Sequence, residues 1–257
     1  CFFTFNDAGW GAGMQNYAGS SPTIEHCSFD SNFATVDGGG MYNGDENAVE
    51  SNPVLTGCLF LENSTNANNG VGGGMYNFTS SPTLTHCDFI GNTAYYGGGM
   101  LNWESSNPLL TDCSFTGNSV GGDGGGIYNT QSMPIFTNCV FDENNAIDGG
   151  GVFNAEPSSS ANVPIFQNCT FTENIASSQG GGMHNFSISP VLIHCTFQGN
   201  NAGAGGAILS WNSSLPSILD SLICGNTPNQ ISGPWNDKGE NEIADECSSD
   251  CPDIDGD

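Results

Sequence analysis

One unit recurs along almost the whole chain, and a chain that repeats itself at this period has few folds open to it. The unit reads P-x-[ILF]-x-x-C-x-F-x-x-N, then a short variable link, then G-G-G-[MIV]-x-N; residues 82–102 are a clean copy. Pro22, Pro53, Pro82, Pro108, Pro134, Pro164, Pro190 and Pro216 each stand five residues before the cysteine position. That position holds Cys27, Cys58, Cys87, Cys113, Cys139, Cys169 and Cys195, with Ser221 in the last copy. Cys1 opens the second part of a further unit, so the chain enters in mid-coil without that unit's Pro-x-Ile segment. A period of about 26 residues, stretched by insertions, is a solenoid signal.

Each unit offers three short strand candidates, Pro-x-Ile, Cys-x-Phe and Gly-Gly-Met-x-Asn, separated by turn residues and without helical periodicity. Three parallel strands per turn make an all-β parallel β-helix of about eight to nine coils, stacked at about 4.8 Å per coil. Cys and Phe, two apart, point the same way, and their apolar character says inward, as it does for the Met position. Phe3, Phe29, Phe60, Phe89, Phe115, Phe141, Phe171 and Phe197 then form one aromatic column, and the Asn three residues later forms an amide column at a turn. The residue before each cysteine position is His26, Gly57, His86, Asp112, Asn138, Asn168, His194 or Asp220. These types tolerate a left-handed backbone, so a positive-φ bend is expected there, and it accounts for three of the four histidines without a ligand. Eight of the eleven cysteines keep one repeat phase and read as small buried hydrophobes.

The chain has one lysine, Lys238, and no arginine against 27 acidic residues, a net charge of −26. Nucleic acid and anionic membrane surfaces are excluded as partners, because neither would find counter-charges. No run approaches the ~18 apolar residues of a membrane helix, so no membrane insertion is expected in this segment. Such an acidic surface suits a salt-rich or calcium-rich exterior.

The Phe-x-x-Asn motif with Gly205-Gly206-Ala207-Ile208 resembles the repeats of chlamydial polymorphic outer-membrane proteins. More closely, the full unit resembles the right-handed parallel β-helix repeat proteins secreted by planctomycete-type bacteria. The closing stretch from Ile223-Cys224-Gly225-Asn226 through Trp235, Asn236 and Asp245-Glu246-Cys247 resembles the usual end of those proteins. The resemblance implies a right-handed solenoid, a bacterial extracellular or cell-surface location, and a dockerin-like calcium module following the last residues. Surface adhesion is implied by analogy with the chlamydial repeats.

Three parts follow: a β-helix body over 1–226, a polar cap or tail over 227–252, and a stub of a calcium-binding loop over 253–257. Cys224 lies one residue beyond Ile223, off the core phase, and is expected to face outward and pair with Cys247 or Cys251. Calcium is the expected cation, at Asp45, Glu46 and Glu50 of one insertion and at Asp253, Asp255 and Asp257 of the stub. Other insertions span 64–71 and 155–163, and such loops gather on one face and often carry binding. N-x-[ST] triplets begin at Asn63, Asn77, Asn168, Asn185 and Asn212, as chance produces in a chain rich in these residues.

Two outward columns point to contact. One holds Tyr42, Tyr76, Tyr128 and Phe153, with Gln15, Leu101, His184 and Leu209; the other holds Leu109, Ile135, Ile165 and Val191. Exposed apolar stripes mark interfaces. The expected function is therefore a secreted, non-catalytic structural or adhesive protein that self-associates into filaments or layers. The alternative is a glycan-binding or glycan-degrading β-helix that stacks sugars on Tyr42, Tyr76 and Tyr128. A lyase of the Arg/Lys type is excluded, since the body has neither residue. An inverting glycosidase needs two carboxylates about 6.5–9.5 Å apart. Asp37, Asp123 and Asp148 fall near one turn before the glycines, where turn chemistry and solvation explain them.

Overall fold

The computed structural model describes residues 1–45, 49–155 and 163–247. These residues wind into a right-handed parallel β-helix with four sheets running its length, of ten, seven, nine and nine strands. Among the described residues, no helix is long and apolar enough to cross a membrane. Three strands of each coil are the expected ones, for example Thr83–Thr85, Asp88–Ile90 and Met100–Trp103. A fourth strand follows the turn asparagine in the first seven coils, two residues long at Thr93–Ala94 and Ser119–Val120 and five at Phe33–Asp37 and Ile175–Gln179. Each strand pairs with its own copies one period away, so like stacks on like: Leu84 on Leu110, Phe89 on Phe115, Met100 on Ile127.

The core is columnar. The phenylalanines from Phe29 to Phe197 are fully buried, and consecutive rings lie nearly parallel with centroids 4.3 to 5.3 Å apart. Beside them run the buried free cysteines from Cys27 to Cys195. The hydrogen bond to the Cys113 thiol, together with burial, pushes the Cys87 thiol up to about 12. That thiol stays protonated and unreactive, which suits a packing role.

The bend before each cysteine position is left-handed at all eight places, with φ between 48° and 60°. His26, His86 and His194 stand exposed on these bends. At the next turn the asparagine column forms a continuous ladder. Asn144 donates to Phe115 O at 2.8 Å and Asn174 Oδ1 at 2.9 Å, while its own Oδ1 accepts from the backbone and side chain of Asn118. A buried amide satisfied this fully fixes one coil on the next. A second ladder in the Met strand runs from Asn16 to Asn185, linked side chain to side chain. Asn63, Asn77 and Asn185 are therefore buried ladder members, whereas Asn168 and Asn212 face solvent.

The segment after Asn226 does more than cover the last coil. Gln230 closes the first ladder by accepting from the Asn226 amide at 2.7 Å. Ile231–Ser232, Asn236–Asp237 and Glu242–Ala244 then add one strand to each of three sheets, with Ile231 and Trp235 packed on the core. Cys224 pairs with Cys247. It was expected to face outward, but it is fully buried, because the returning chain lies over it. Cys251 lies outside the described residues.

Candidate functional site

The G-G-G segment makes the solenoid turn tightly, and this turn creates a groove. At Gly97 the backbone is left-handed, and a Cβ there would collide with Met100 O and Leu101 Cβ; a Cβ on Gly98 would strike Gly125 O of the next coil. Without side chains the link folds close against the Met strand, leaving a concave trough along the rod. Its floor is the outward column of that strand: Tyr42, Tyr76, Leu101, Tyr128, Phe153, His184 and Leu209 in register. One wall is the column two residues later, with Phe78, Trp103, Thr130, Phe186 and Trp211. The other wall is the residue before the first glycine, with Val71, Tyr96, Asp123, Asp148 and Gln179.

This geometry corrects the expected aromatic stripe. Tyr42, Tyr76 and Phe153 are buried rather than exposed, and Tyr128 is half-buried. An outward side chain on a concave bend sinks between the walls and packs on its neighbours: Tyr128 stacks on Phe153 at 5.1 Å, and Tyr42 meets Tyr76 edge-on at 5.3 Å. The open rings are on the rim, where Trp103 is 41% and Trp211 57% exposed. Of the second column, Leu109 and Ile135 are exposed, and Ile165 and Val191 are half-buried.

The trough has two segments that meet at Tyr128 and Thr130. The upper one, of about 450 Å³, lies between Tyr95, Tyr96, Trp103 and Tyr128, with the amides of Asn68, Asn69 and Gln131 at its edges. Insertion 64–71 supplies the two asparagines; its turn closes with Gly70 N donating to Asn66 O, and Tyr95 N donates to Gly70 O at 2.8 Å, fixing the loop to the next coil. Tyr95 and Tyr96 meet edge-on at 4.6 Å, and Tyr96 lies 5.2 Å from Tyr128. Among the described residues, no charged one lines this segment.

The lower segment, of about 480 Å³, is lined by Phe153, Phe186 and Trp211 together with Asp148, Gln179 and His184. His184 Nδ1 lies 3.8 Å from Asp148 Oδ2, too far for a hydrogen bond. Both ring nitrogens and Asp148 Oδ1 are buried without a hydrogen-bond partner. Burial pushes His184 down to about 4 despite the nearby Asp148, so its ring is neutral. Burial, with the charge of Asp148, pushes Asp123 up to about 6. Burial raises Asp37 also, and its Oδ1 accepts from Val71 N at 3.0 Å, in keeping with a turn role. Asp123 and Asp148 occupy the same column farther along the trough wall.

A third hollow, of about 580 Å³, lies over the pre-cysteine bends between Asn138, Asn168, His194, Asp220, Glu240 and Glu242. Its amides are already engaged: Asn138 Nδ2 donates to the Asp112 carboxylate at 2.9 Å and Asn168 Nδ2 to Asn138 Oδ1 at 3.0 Å. Of the expected calcium ligands, Asp45 is buried, while Glu50 is exposed and accepts from Asn52 Nδ2 at 3.0 Å. Glu46, Asp253, Asp255 and Asp257 lie outside the described residues. Among the described residues, no three His, Cys, Asp or Glu side chains group as metal ligands.

The trough is thus a rigid, aromatic-floored channel with open indole rings on its rim and amides at one end. Sequence reasoning named its floor but missed both walls. The signal available was the aromatic residues at Phe78, Trp103, Phe186 and Trp211, two positions beyond the floor column.

No curated protein and no solved structure matches the chain. Residues 54–202 match the family model described as the right handed beta helix region. That match covers more than half of the 257 residues, and the coils within it have the parallel register described above. The chain belongs to the right-handed β-helix family.

Proposed function

We propose that this chain is a secreted bacterial, non-catalytic adhesive rod that holds a surface glycan along its aromatic trough. The observation that carries this reading is the line of rings running lengthwise, buried at the floor and open at Trp103 and Trp211 on the rim. Aromatic faces pair with the apolar faces of sugar rings, and a floor already packed in place loses little freedom when a ligand docks. An exterior location is supported by the Cys224–Cys247 disulfide, which belongs to an oxidising compartment. There, millimolar calcium screens the exposed acidic groups, Glu50 among them. The test is retention of the full chain on immobilised polysaccharides. The reading expects retention that the double variant Trp103→Ala/Trp211→Ala abolishes without lowering the melting temperature. Equal retention of that variant, or none by the parent on any polysaccharide, overturns it.

A second reading, self-association, is favoured by the exposed apolar stripe of the Pro-x-Ile sheet at Val54, Leu109 and Ile135. The only lysine, Lys238, stands far along the chain from this stripe, and lysines are a usual guard of such surfaces. Its occupant is a second copy of the chain, brought close once cations have reduced charge repulsion. Light scattering in calcium should then show an assembly that the double variant Leu109→Asp/Ile135→Asp disperses. A monomer at high concentration rules it out.

A further inference from the structure

The upper segment of the trough stands apart from the rest of the surface. In a chain with 27 acidic residues, none of the described residues that line it is acidic; Asp123 acts electrostatically on Tyr96 from its flank, and Asp37 and Glu104 act on Tyr76 beside it. Nor does it carry a cation, since the chain's only one is Lys238 in the closing segment. An anionic ligand would meet flanking carboxylates with no counter-charge, so the occupant is not an anion. The ring faces alone would suit a cation as well as a neutral ring, and the polar groups decide between them.

Its polar groups narrow the chemistry further. Asn68, Asn69 and Gln131 present amides and Thr130 a hydroxyl, groups that both donate and accept. A wholly apolar occupant such as an acyl chain would strip water from these amides without replacing its hydrogen bonds. A sugar matches both features, with hydroxyls for the amides and ring faces for Tyr96, Tyr128 and Trp103. About 450 Å³ is in the range of small-ligand sites and suits a short oligosaccharide.

We propose that this segment, built by insertion 64–71 against Trp103 and Tyr128, is the binding site for an uncharged oligosaccharide lying along the rod. The inference rests on the adhesive reading and gives it a ligand class and an address. Direction follows from the walls. Trp103 and Trp211 occupy the same column four coil steps apart, about 19 Å at ~4.8 Å a step, so a longer chain continues lengthwise into the lower segment.

The experiment is calorimetric titration of the full chain with neutral hexasaccharides, β-1,4-linked glucose, xylose and mannose, and with oligogalacturonate of equal length, at low and high salt. At least one neutral ligand should bind with an affinity that salt does not change. Trp103→Ala and Gln131→Ala should each weaken it by about tenfold or more, Trp103→Phe should restore most of it, and Trp211→Ala should weaken it least. Tighter binding of oligogalacturonate, or a larger loss from Trp211→Ala than from Trp103→Ala, overturns the inference while leaving the adhesive reading standing. No binding of any glycan here or on the immobilised polysaccharides overturns both.

Discussion

The phenylalanine column inside the rod and the column on the trough floor are built by the same stacking step, yet they differ in every other respect. Inside, one residue type repeats from Phe29 to Phe197, and each ring before Phe197, where Ile223 follows, has a near-parallel neighbour on both sides. On the floor, the sequence of types is Tyr, Tyr, Leu, Tyr, Phe, His, Leu. The enclosed column has no free side into which a mismatch could relax, so a ring of another shape would lose contact with both neighbours. The floor is open on one side, and each coil can carry a different group at modest cost. The inner column fixes the register, and the outer one is free to carry binding.

The largest expected effect sets two phenylalanines against each other. Phe141 stacks on Phe115 and Phe171 and touches Phe136 and Phe166 edge-on or tilted, all of them fully buried. Phe141→Ala should cost about 3–5 kcal/mol in denaturant unfolding. Phe153→Ala, on the floor between Tyr128 and His184, should cost about half of that. Equal losses would break the distinction between the two columns.

The inner column was readable from sequence, because Cys, Phe and Met recur at fixed offsets and an apolar period says inward without further information. The left-handed bends were readable too, since His26, Asn138 and Asp220 share little except tolerance of positive φ. The fourth strand was not. Its length varies from two residues, at Thr93–Ala94 and Ser119–Val120, to five, at Phe33–Asp37 and Ile175–Gln179, and its inward residues are small, Ala94, Val120 and Ala146 among them, so no fixed apolar pattern marks it. The trough was missed for a different reason. Alternation along a strand separates inward from outward, but it does not say whether the outward face is convex or concave. Leu109 and Tyr76 are both outward; the first stands on an open face and is exposed, while the second lies in the bend made by Gly72 and is buried. The walls come from different parts of the unit, and only the turn brings Tyr96 opposite Trp103.

A smaller effect with the opposite sign sharpens the comparison. His184 is buried between Phe153 and Leu209 with neither ring nitrogen bonded, an arrangement the inner column never shows. Leaving such groups unsatisfied costs about 1–3 kcal/mol. His184→Leu, matching the residue of the next coil, should therefore stabilise the rod by about 1 kcal/mol, part of the gain being offset because Asp148 loses its neighbour. Destabilisation instead would mean that the His184 and Asp148 pair contributes to holding the coils together, as the inner ladders do.

The smallest expected effect lies at the junction of the two trough segments, where Asp123 is held at about 6 by burial and by Asp148. A carboxyl raised in the folded chain binds its proton more tightly there than in the unfolded chain. Between its ordinary value and about 6 the folded state thus carries more protons, and stability falls as pH rises through this window. The contribution is complete on the acid side and absent above the folded value. Asp123→Asn keeps the shape and removes the titration, so it should be more stable than the parent near neutral pH and converge with it near pH ~4. Because the group is only half-buried and solvent screens it, the separation should stay under about 1 kcal/mol. Measuring the difference between variant and parent cancels the general relief of charge repulsion that acid brings to a chain of net charge −26. Parallel curves for the two proteins would place Asp123 in solvent and remove it from the wall. Convergence at low pH would mean that the trough, unlike the inner column, holds acidic groups at a cost in stability.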